Sequence, residues 1–302
     1  MNKLKASIAS MRLRTLPLSA GGVLLGLLLA AADFRVDFLT AVLVVVTTVC
    51  LQILSNLSNE LGDVLHGTDT PDRQGPSYGL NGGEMSVDDM KLLIKLAVAA
   101  CVISGLAMTW VSFGTIFAMA PILVLLLGAA AILGAMKYTL GRNPYGYRGL
   151  GDLFVFLFFG IVSVAGAYFV AAHEIISWKI FLPAAAIGFF SVGVLNVNNI
   201  RDMKTDAENR VTVAIRLGER RAKIYQTVLI VLGWAAMTAF CLLRIFDPWH
   251  YLFVLTLPLF VLHIAGVWKR HDRELDPMLP LLVMSTFAFA LLSGVGFVAF
   301  LF

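Results

Sequence analysis

Long apolar runs separated by polar connections dominate this sequence. Nine runs have the length of about 20 residues that carries an α-helix across the hydrocarbon part of a bilayer. None shows the alternation of apolar and polar residues that is typical of barrel strands. The pattern therefore predicts an all-α, polytopic membrane protein with nine transmembrane helices in a bundle. The predicted spans are 15–33, 38–59, 91–112, 114–136, 152–172, 178–199, 223–244, 249–268 and 278–301.

The composition agrees with this fold class. Hydrophobic residues make up 59% of the chain and charged residues only 14%, whereas soluble domains contain about 45–50% and 25%. We expect a single integral-membrane domain over residues 1–302. The net charge of +4 is explained by membrane topology, so we expect no nucleic-acid partner.

The basic residues are distributed unevenly between alternate connections. With the N-terminus in the cytoplasm, only Arg35, Lys179 and Arg244 of the 23 Lys and Arg residues fall on the outer side. Because cytoplasmic loops are enriched in Lys and Arg, the N-terminus is predicted to be cytoplasmic and the C-terminus outside. The expected location is the cell (inner) membrane, within the lipid bilayer. The longest polar loops, 60–90, 137–151 and 200–222, then all fall on the cytoplasmic side.

Two clusters of carboxylates follow the second and the sixth spans. The first contains Asn59, Glu60, Asp63 and Asp69, and the second contains Asp202 and Asp206. Spacings of three and four residues place such side chains on one helical face. Both spans run towards the cytoplasm, so the clusters are expected to meet there. Their oxygen ligands suit Mg²⁺ bound to a diphosphate; the alternative is that they are helix ends solvated by lipid headgroups.

Basic and aromatic residues of the cytoplasmic loops extend this candidate site. The guanidinium fork of arginine matches phosphate oxygens, and the predicted diphosphate-binding residues are Arg73, Arg142, Arg201 and Arg210. Tyr138 lies four residues before Arg142 and could stabilise a developing cation with its ring face. For Tyr145 and Tyr147, an interfacial aromatic belt is an equally good interpretation.

These motifs resemble those of the UbiA superfamily of intramembrane aromatic prenyltransferases. The family pattern is Asn-Asp-x-x-Asp with a further Asp after the second span, and Asp-x-x-x-Asp after the sixth. The matching residues here are Asn59, Glu60, Asp63 and Asp69, then Asp202 and Asp206. Glu60 replaces the usual Asp, and the usual Gly-Lys after the second motif is contracted, which leaves Arg210. Nine spans also match the family, and the resemblance covers essentially the whole chain.

Within the superfamily, the chain most resembles the 1,4-dihydroxy-2-naphthoate polyprenyltransferases of menaquinone synthesis. The segments that carry this resemblance are 12–19, 51–59, 149–156 and 198–202. It implies transfer of a polyprenyl chain from polyprenyl diphosphate to 1,4-dihydroxy-2-naphthoate, with Mg²⁺ as cofactor, release of diphosphate and CO₂, and demethylmenaquinol as product. Asp63, Asp202, Asp206 and Tyr138 are the predicted catalytic residues, and the two clusters are the predicted metal ligands.

Other functions remain open from the sequence. The acceptor could be another aromatic acid, such as 4-hydroxybenzoate or homogentisate. A secondary transporter would also carry intramembrane acids, but it would place them near the midplane on broken helices. Arg12, Arg14 and Arg142 are the candidates for contact with the acceptor's carboxylate.

Overall fold

This computed structural model describes residues 3–67, 76–207 and 209–299. These residues contain nine helices that are long and apolar enough to cross a membrane. The helices are α1 Lys3–Asp33, α2 Phe38–Leu65, α3 Val87–Phe113, α4 Met119–Lys137, α5 Gly151–Ala172, α6 Trp178–Arg201, α7 Glu219–Leu242, α8 Pro248–Lys269 and α9 Asp272–Ala299. Within the described ranges no β-strand forms, and only an isolated bridge joins Arg148 to Val211. The prediction of an all-α protein with nine spans is therefore confirmed.

The second helix is longer than the sequence predicts. It continues from the expected end at residue 59 to Leu65, so Asn59, Glu60 and Asp63 lie on the helix itself. At its other end, Asp37 caps the helix, because its carboxylate accepts a hydrogen bond of 2.7 Å from the backbone N–H of Thr40. The acidic cluster is thus held by regular helical backbone.

The first helix is interrupted near its N-terminus. A short helix, Lys3–Ser10, ends before Arg12, whose backbone is left-handed with φ at 49°. The main part of α1, Leu16–Asp33, then begins with a proline at its first turn, where a missing N–H costs nothing. Arg12, Arg14 and Thr15, at this bend, line the cavity described below.

Small residues let α5 and α6 pack at close range. A Cβ on Gly160 would lie 2.6 Å from Cα of Gly188 and 2.7 Å from the carbonyl oxygen of Ala184. Close backbone approach through glycine is typical of membrane helix pairs. The adjoining core contains buried aromatic rings: Phe190 has its ring centroid 4.7 Å from that of Phe260 and 5.0 Å from that of Phe289.

An ion pair joins the C-terminal end of α1 to Arg244, which lies just after the C-terminal end of α7. Arg244 donates from Nη1 and Nη2 to the two carboxylate oxygens of Asp33, at 2.9 and 3.0 Å. The hydroxyl of Tyr168, on α5, donates to the same carboxylate at 2.9 Å. Bidentate pairs of this kind are among the stronger side-chain contacts, so this cluster connects three helices.

Removing this ion pair should lower thermal stability. We expect Arg244→Gln to reduce Tm by about 2–6 °C, because the partly buried Asp33 loses its charged partner. Thermal unfolding in detergent measures the change. Arg35→Gln removes an exposed charge from the same end of the bundle and is the matched control. Equal Tm values for the two variants would contradict the assignment.

Candidate functional site

A cavity of about 430 Å³ lies between the helices and reaches the end of the bundle where α2 and α6 finish. Roughly 28 Å of helix, at 1.5 Å per residue, separates Val44 from Asp63 on α2, and both residues line the cavity. The polar end is lined by Asn56, Asn59, Asp63, Tyr138, Asn198, Arg201 and Arg210. The remaining wall is apolar and includes Met108, Val124, Leu127, Phe158, Phe169 and Val170. The cavity therefore suits a ligand with a charged head and a long apolar tail.

The two acidic clusters meet at the polar end through Arg210. Its Nη2 donates to Oδ1 of Asp206 at 2.6 Å, and its Nη1 lies 3.8 Å from Oδ1 of Asp63. All three side chains are at most 10% exposed. The expectation that the ends of the second and sixth spans converge is therefore confirmed, and a cation lies between the carboxylates.

Tyr147 contacts this centre from the loop after α4, and Tyr138 and Tyr145 line the cavity. The hydroxyl of Tyr147 donates to Oδ1 of Asp63 at 2.7 Å, and the guanidinium of Arg210 lies 5.7 Å from the centroid of the Tyr147 ring. Tyr138 lines the cavity, and Tyr145 meets its ring edge-on at 5.4 Å. The sequence left Tyr147 undecided between a belt and a site. The sequence feature that favours a place in the site is the position of Tyr147 in a polar, glycine-rich loop between two spans.

The carboxylate of Asp202 forms an ion pair with its neighbour Arg201. The guanidinium donates from Nε and Nη2 to the two carboxylate oxygens of Asp202, at 2.8 and 2.6 Å. Arg201 also donates to Asn198 at 2.9 Å and to Asp276 at 2.7 Å. Arg201 and Asn198 line the cavity, whereas Asp202 is fully buried behind them. In this arrangement Asp202 orients an arginine towards the cavity.

Asn59 is held at the cavity wall by the segment after α4. Thr139 donates to the carbonyl oxygen of Ser58 at 2.9 Å, and its hydroxyl lies 3.4 Å from Oδ1 of Asn59. Gly62 makes this approach possible, since a Cβ there would lie 2.4 Å from the Thr139 side chain. Asn59 and Asp63, which are about one helical turn apart on α2, both line the cavity.

Glu60 points away from the cavity. Its Oε1 accepts backbone hydrogen bonds from Leu80 at 2.7 Å and Asn81 at 3.3 Å, and the side chain is fully buried. Asn81 in turn accepts from the backbone N–H of Tyr78. The longer reach of Glu compared with Asp thus serves to anchor the turn that carries Tyr78, a residue that the sequence gave no reason to select.

The Glu60→Gln substitution distinguishes an anchor from a metal ligand. We expect it to retain at least about half of the wild-type kcat, because the amide oxygen still accepts from Leu80 and Asn81. A direct ligand to a metal ion would lose about 100-fold or more on the same change. Steady-state assays in detergent measure the difference. Asp63→Asn provides the matched loss of a carboxylate that does face the cavity.

Of the remaining predicted residues, one lies away from the site and two belong to a part of the chain that the structure does not describe. Arg142 is exposed and does not line the cavity. Asp69 and Arg73 lie outside the described residues, and their roles stay predictions.

Burial and neighbouring charges shift the pKa values of the ionisable groups at this centre. Burial raises the pKa of Asp206 above its ordinary value, although the charge of Arg210 opposes this shift. Burial alone would lower the pKa of Arg210, but Asp206 and Asp63 outweigh it and raise that pKa, so Arg210 stays charged. Burial also raises the pKa of Tyr138, and that of Tyr145 to about 12, so both phenols stay neutral.

The residues present fit an ion that is held jointly with a substrate. Among the described residues, Oδ2 of Asp206 is buried and has no hydrogen-bond partner, which leaves an oxygen ligand available. Among the described residues, no three Asp, Glu, His or Cys side chains lie close enough to hold a metal ion by themselves. Mg²⁺ is commonly bound by one or two carboxylates together with substrate phosphates, and this centre offers that type of partial site.

Comparisons with known proteins show what this chain is similar to. The family described as "UbiA prenyltransferase family" matches residues 19–289. The chain is 38% identical to a 1,4-dihydroxy-2-naphthoate octaprenyltransferase of Escherichia coli strain K12, over 92% of this chain and 88% of that protein. It is 36% identical to the protein of the same name from Haemophilus influenzae, over 97% of this chain and 96% of that one.

Solved structures share the fold. A UbiA homolog from Aeropyrum pernix K1 superposes with a TM-score of 0.68 at 18% identity, covering 97% of this chain and 98% of that one. A UbiA homolog from Archaeoglobus fulgidus, bound to GPP and Mg²⁺, superposes with a TM-score of 0.62 at 16% identity, over 96% of this chain and 99% of that one.

Proposed function

Because this chain belongs to the UbiA prenyltransferase family, we propose that it transfers a polyprenyl chain to 1,4-dihydroxy-2-naphthoate in menaquinone biosynthesis. The donor is polyprenyl diphosphate, and the products are demethylmenaquinol, diphosphate and CO₂. The observation that carries this proposal is the Asp63–Arg210–Asp206 centre at the polar end of a long apolar cavity. The names of the Escherichia coli and Haemophilus influenzae relatives support the choice of acceptor.

The polar end would bind the diphosphate. Arg210 and Arg201 both line the cavity there and can donate charge-assisted hydrogen bonds to phosphate oxygens. Asn59, Asp63 and Asp206 would hold Mg²⁺, and Asp202 would keep Arg201 oriented. When bound, Mg²⁺ would neutralise charge on the leaving diphosphate. The Archaeoglobus fulgidus homolog bound to GPP and Mg²⁺ supports this cofactor.

The chemical step requires separation of charge next to aromatic rings. The C–O bond of the prenyl diphosphate breaks, and its electron pair leaves with the diphosphate. The resulting allylic cation lies at the cavity wall formed by Tyr138 and Tyr145, whose ring faces attract positive charge. A ring carbon of the acceptor then forms the new C–C bond. Loss of CO₂ returns an electron pair to the ring, so no oxidant or reductant is needed.

The apolar wall explains why this reaction takes place inside a membrane protein. Val44, Met108 and Val170 line the part of the cavity away from the charged centre, where an isoprenoid tail would be removed from water. We place the protein in the cell (inner) membrane, with the charged end of the cavity facing the cytoplasm. Such an asymmetric, surface-side centre fits an enzyme better than a transporter, in which the binding site lies near the midplane.

Product analysis tests the proposal directly. Purified protein in detergent is incubated with Mg²⁺, geranyl diphosphate and a panel of aromatic acids, and products are identified by mass spectrometry. We expect a prenylated, decarboxylated product from 1,4-dihydroxy-2-naphthoate, and at most about 1% of that rate with 4-hydroxybenzoate or homogentisate. A faster rate with either of these acids would assign a different acceptor.

The metal requirement has its own test. Exhaustive chelation should abolish turnover, and added Mg²⁺ should restore it, because the carboxylates and the diphosphate repel each other without a cation. Full activity after chelation would remove Mg²⁺ from the proposal.

A further inference from the structure

Arg201 joins the polar end of the cavity to the surface of the protein. Its side chain lines the cavity and is only 2% exposed, and its Nη1 donates to Oδ1 of Asp276 at 2.7 Å. Asp276 lies near the start of α9, 75 residues further along the chain, and its side chain is 39% exposed. One guanidinium therefore contacts both the cavity and a carboxylate at the surface.

The packing of α9 against α6 holds Asp276 in this place. Leu275 is fully buried in an apolar cluster that includes Val197 of α6. The backbone N–H of Asp276 donates to the carbonyl oxygen of Arg273 at 3.1 Å, which closes the turn at the start of α9. The carboxylate of Asp276 is thus fixed opposite the end of α6, where Arg201 lies.

The hydrogen bonds of Arg201 leave one donor for a ligand in the cavity. A guanidinium has five N–H groups. Nε and Nη2 donate to Asp202, and the second N–H of Nη2 donates to Asn198. Nη1 donates to Asp276. Within the described ranges, these contacts use all but one N–H, and that N–H belongs to the nitrogen that Asp276 binds.

Asp276 weakens the attraction of Arg201 for an anion in two ways. The charge of Arg201 is already matched by the buried carboxylate of Asp202, so Asp276 adds an excess negative charge next to the cavity, and this charge repels phosphate. Asp276 also takes one of the two N–H groups of Nη1. Ion pairs with a solvent-exposed partner contribute little to stability, so an effect on Arg201 explains this contact better than a structural role.

We propose that Asp276 sets the affinity of Arg201 for diphosphate and keeps it low enough for the diphosphate product to leave the cavity. This inference rests on the proposed prenyl transfer and adds the control of product release to it. Asp276 does not line the cavity, so it acts through Arg201 and is a positioning residue.

Binding of inorganic diphosphate tests the inference without turnover. The anion is titrated by calorimetry into purified protein in detergent with Mg²⁺. Asp276→Asn removes the charge, and Asp276→Ala removes the charge and the acceptor oxygen. We expect both variants to bind diphosphate about 3- to 10-fold more tightly than wild type. Asp276→Glu keeps the charge and should bind within about 2-fold of wild type. A residue that only supports the fold would give equal or weaker binding on substitution.

Asp272→Asn is the matched control for the loss of a surface carboxylate. Asp272 lies on the same turn, is 43% exposed and pairs at 2.6 Å with Lys204, which does not line the cavity. This variant should bind diphosphate within about 2-fold of wild type. The same tightening in Asp272→Asn as in Asp276→Asn would overturn the specific role of Asp276.

The remaining outcomes separate this inference from the proposed function. Equal or weaker diphosphate binding in both Asp276→Asn and Asp276→Ala, at a Tm near that of wild type, overturns the inference alone. Absence of diphosphate binding in wild type overturns the diphosphate centre, and the inference with it. Failure of prenyl transfer to the naphthoate would leave the binding result intact, because no acceptor takes part in the titration.

Discussion

Asp206→Asn and Asp63→Asn should each lower kcat by a factor on the order of 1000 or more while leaving the protein folded. Each substitution removes one negative charge from a centre in which Arg210 supplies the nearest positive charge. The remaining carboxylate still pairs with Arg210, so the fold is retained. Each variant removes one charged oxygen ligand from the Mg²⁺ that would neutralise the leaving diphosphate. Loss of such electrostatic stabilisation of the transition state typically lowers kcat by a factor of this size.

The measurement is steady-state prenyl transfer in detergent at increasing Mg²⁺, with Tm and gel filtration recorded for each variant. From the residual activity of each variant, the Mg²⁺ concentration for half-maximal rate should be about 10-fold or more above that of wild type. Asp272→Asn is the matched control: that residue pairs with Lys204 at 2.6 Å outside the cavity. Its φ of 44° is a conformation that asparagine also adopts readily. Near-normal kcat in both Asp63→Asn and Asp206→Asn would show that these carboxylates do not hold the metal.

The second large effect concerns stability. Gly160→Ala should lower Tm by about 4–8 °C, because the added methyl group would meet Cα of Gly188 and the carbonyl oxygen of Ala184 at under 3 Å. Backbone atoms cannot move aside as a flexible side chain can, so α5 and α6 must separate. Overpacking usually costs about 1–3 kcal/mol, and contact with backbone atoms places this case at the upper end. After the gain in helix propensity of about 1 kcal/mol from replacing glycine, a net loss of about 2 kcal/mol remains, which corresponds to the expected change in Tm.

Gly105→Ala is the control for this substitution. It adds the same methyl group to α3, where the nearest atom is Cγ2 of Thr47 at 4.0 Å. Its Tm should therefore stay equal to that of wild type or rise slightly. Thermal unfolding in one detergent compares the two variants, and the same Tm for both would contradict the close α5–α6 contact. Since α5 and α6 line the cavity, activity should fall with stability in Gly160→Ala.

The spans could be predicted because the bilayer imposes a local rule. A segment that crosses hydrocarbon must satisfy its backbone hydrogen bonds internally, so length and apolar composition alone identify a helix. The rule says less about helix ends. The sequence placed the end of the second span at residue 59 because polar residues begin there, yet α2 continues to Leu65. Its polar turns are stabilised by Thr139, Tyr147 and the turn at Leu80.

The meeting of the two acidic clusters could also be predicted, since two helices that run in the same direction end at the same surface. Which carboxylates pair with Arg210 could not be predicted. Asp63 and Asp206 do, whereas Oε1 of Glu60 accepts from backbone N–H groups and Arg201 binds both oxygens of Asp202. A helical face is about 100° wide, and this is too coarse to separate neighbours such as residues 59 and 60.

The sequence by itself therefore determined the membrane-spanning helical class, the number of spans and the gathering of acids at one end. These properties follow from hydrophobicity and helical periodicity, which act over one or two turns of chain. Only the tertiary structure decided that Arg12 stacks on Tyr78, that Tyr147 donates to Asp63 and that Glu60 anchors a turn. These contacts join residues that are distant in the chain, and they depend on how close the helices approach one another, which the packing of the whole bundle sets.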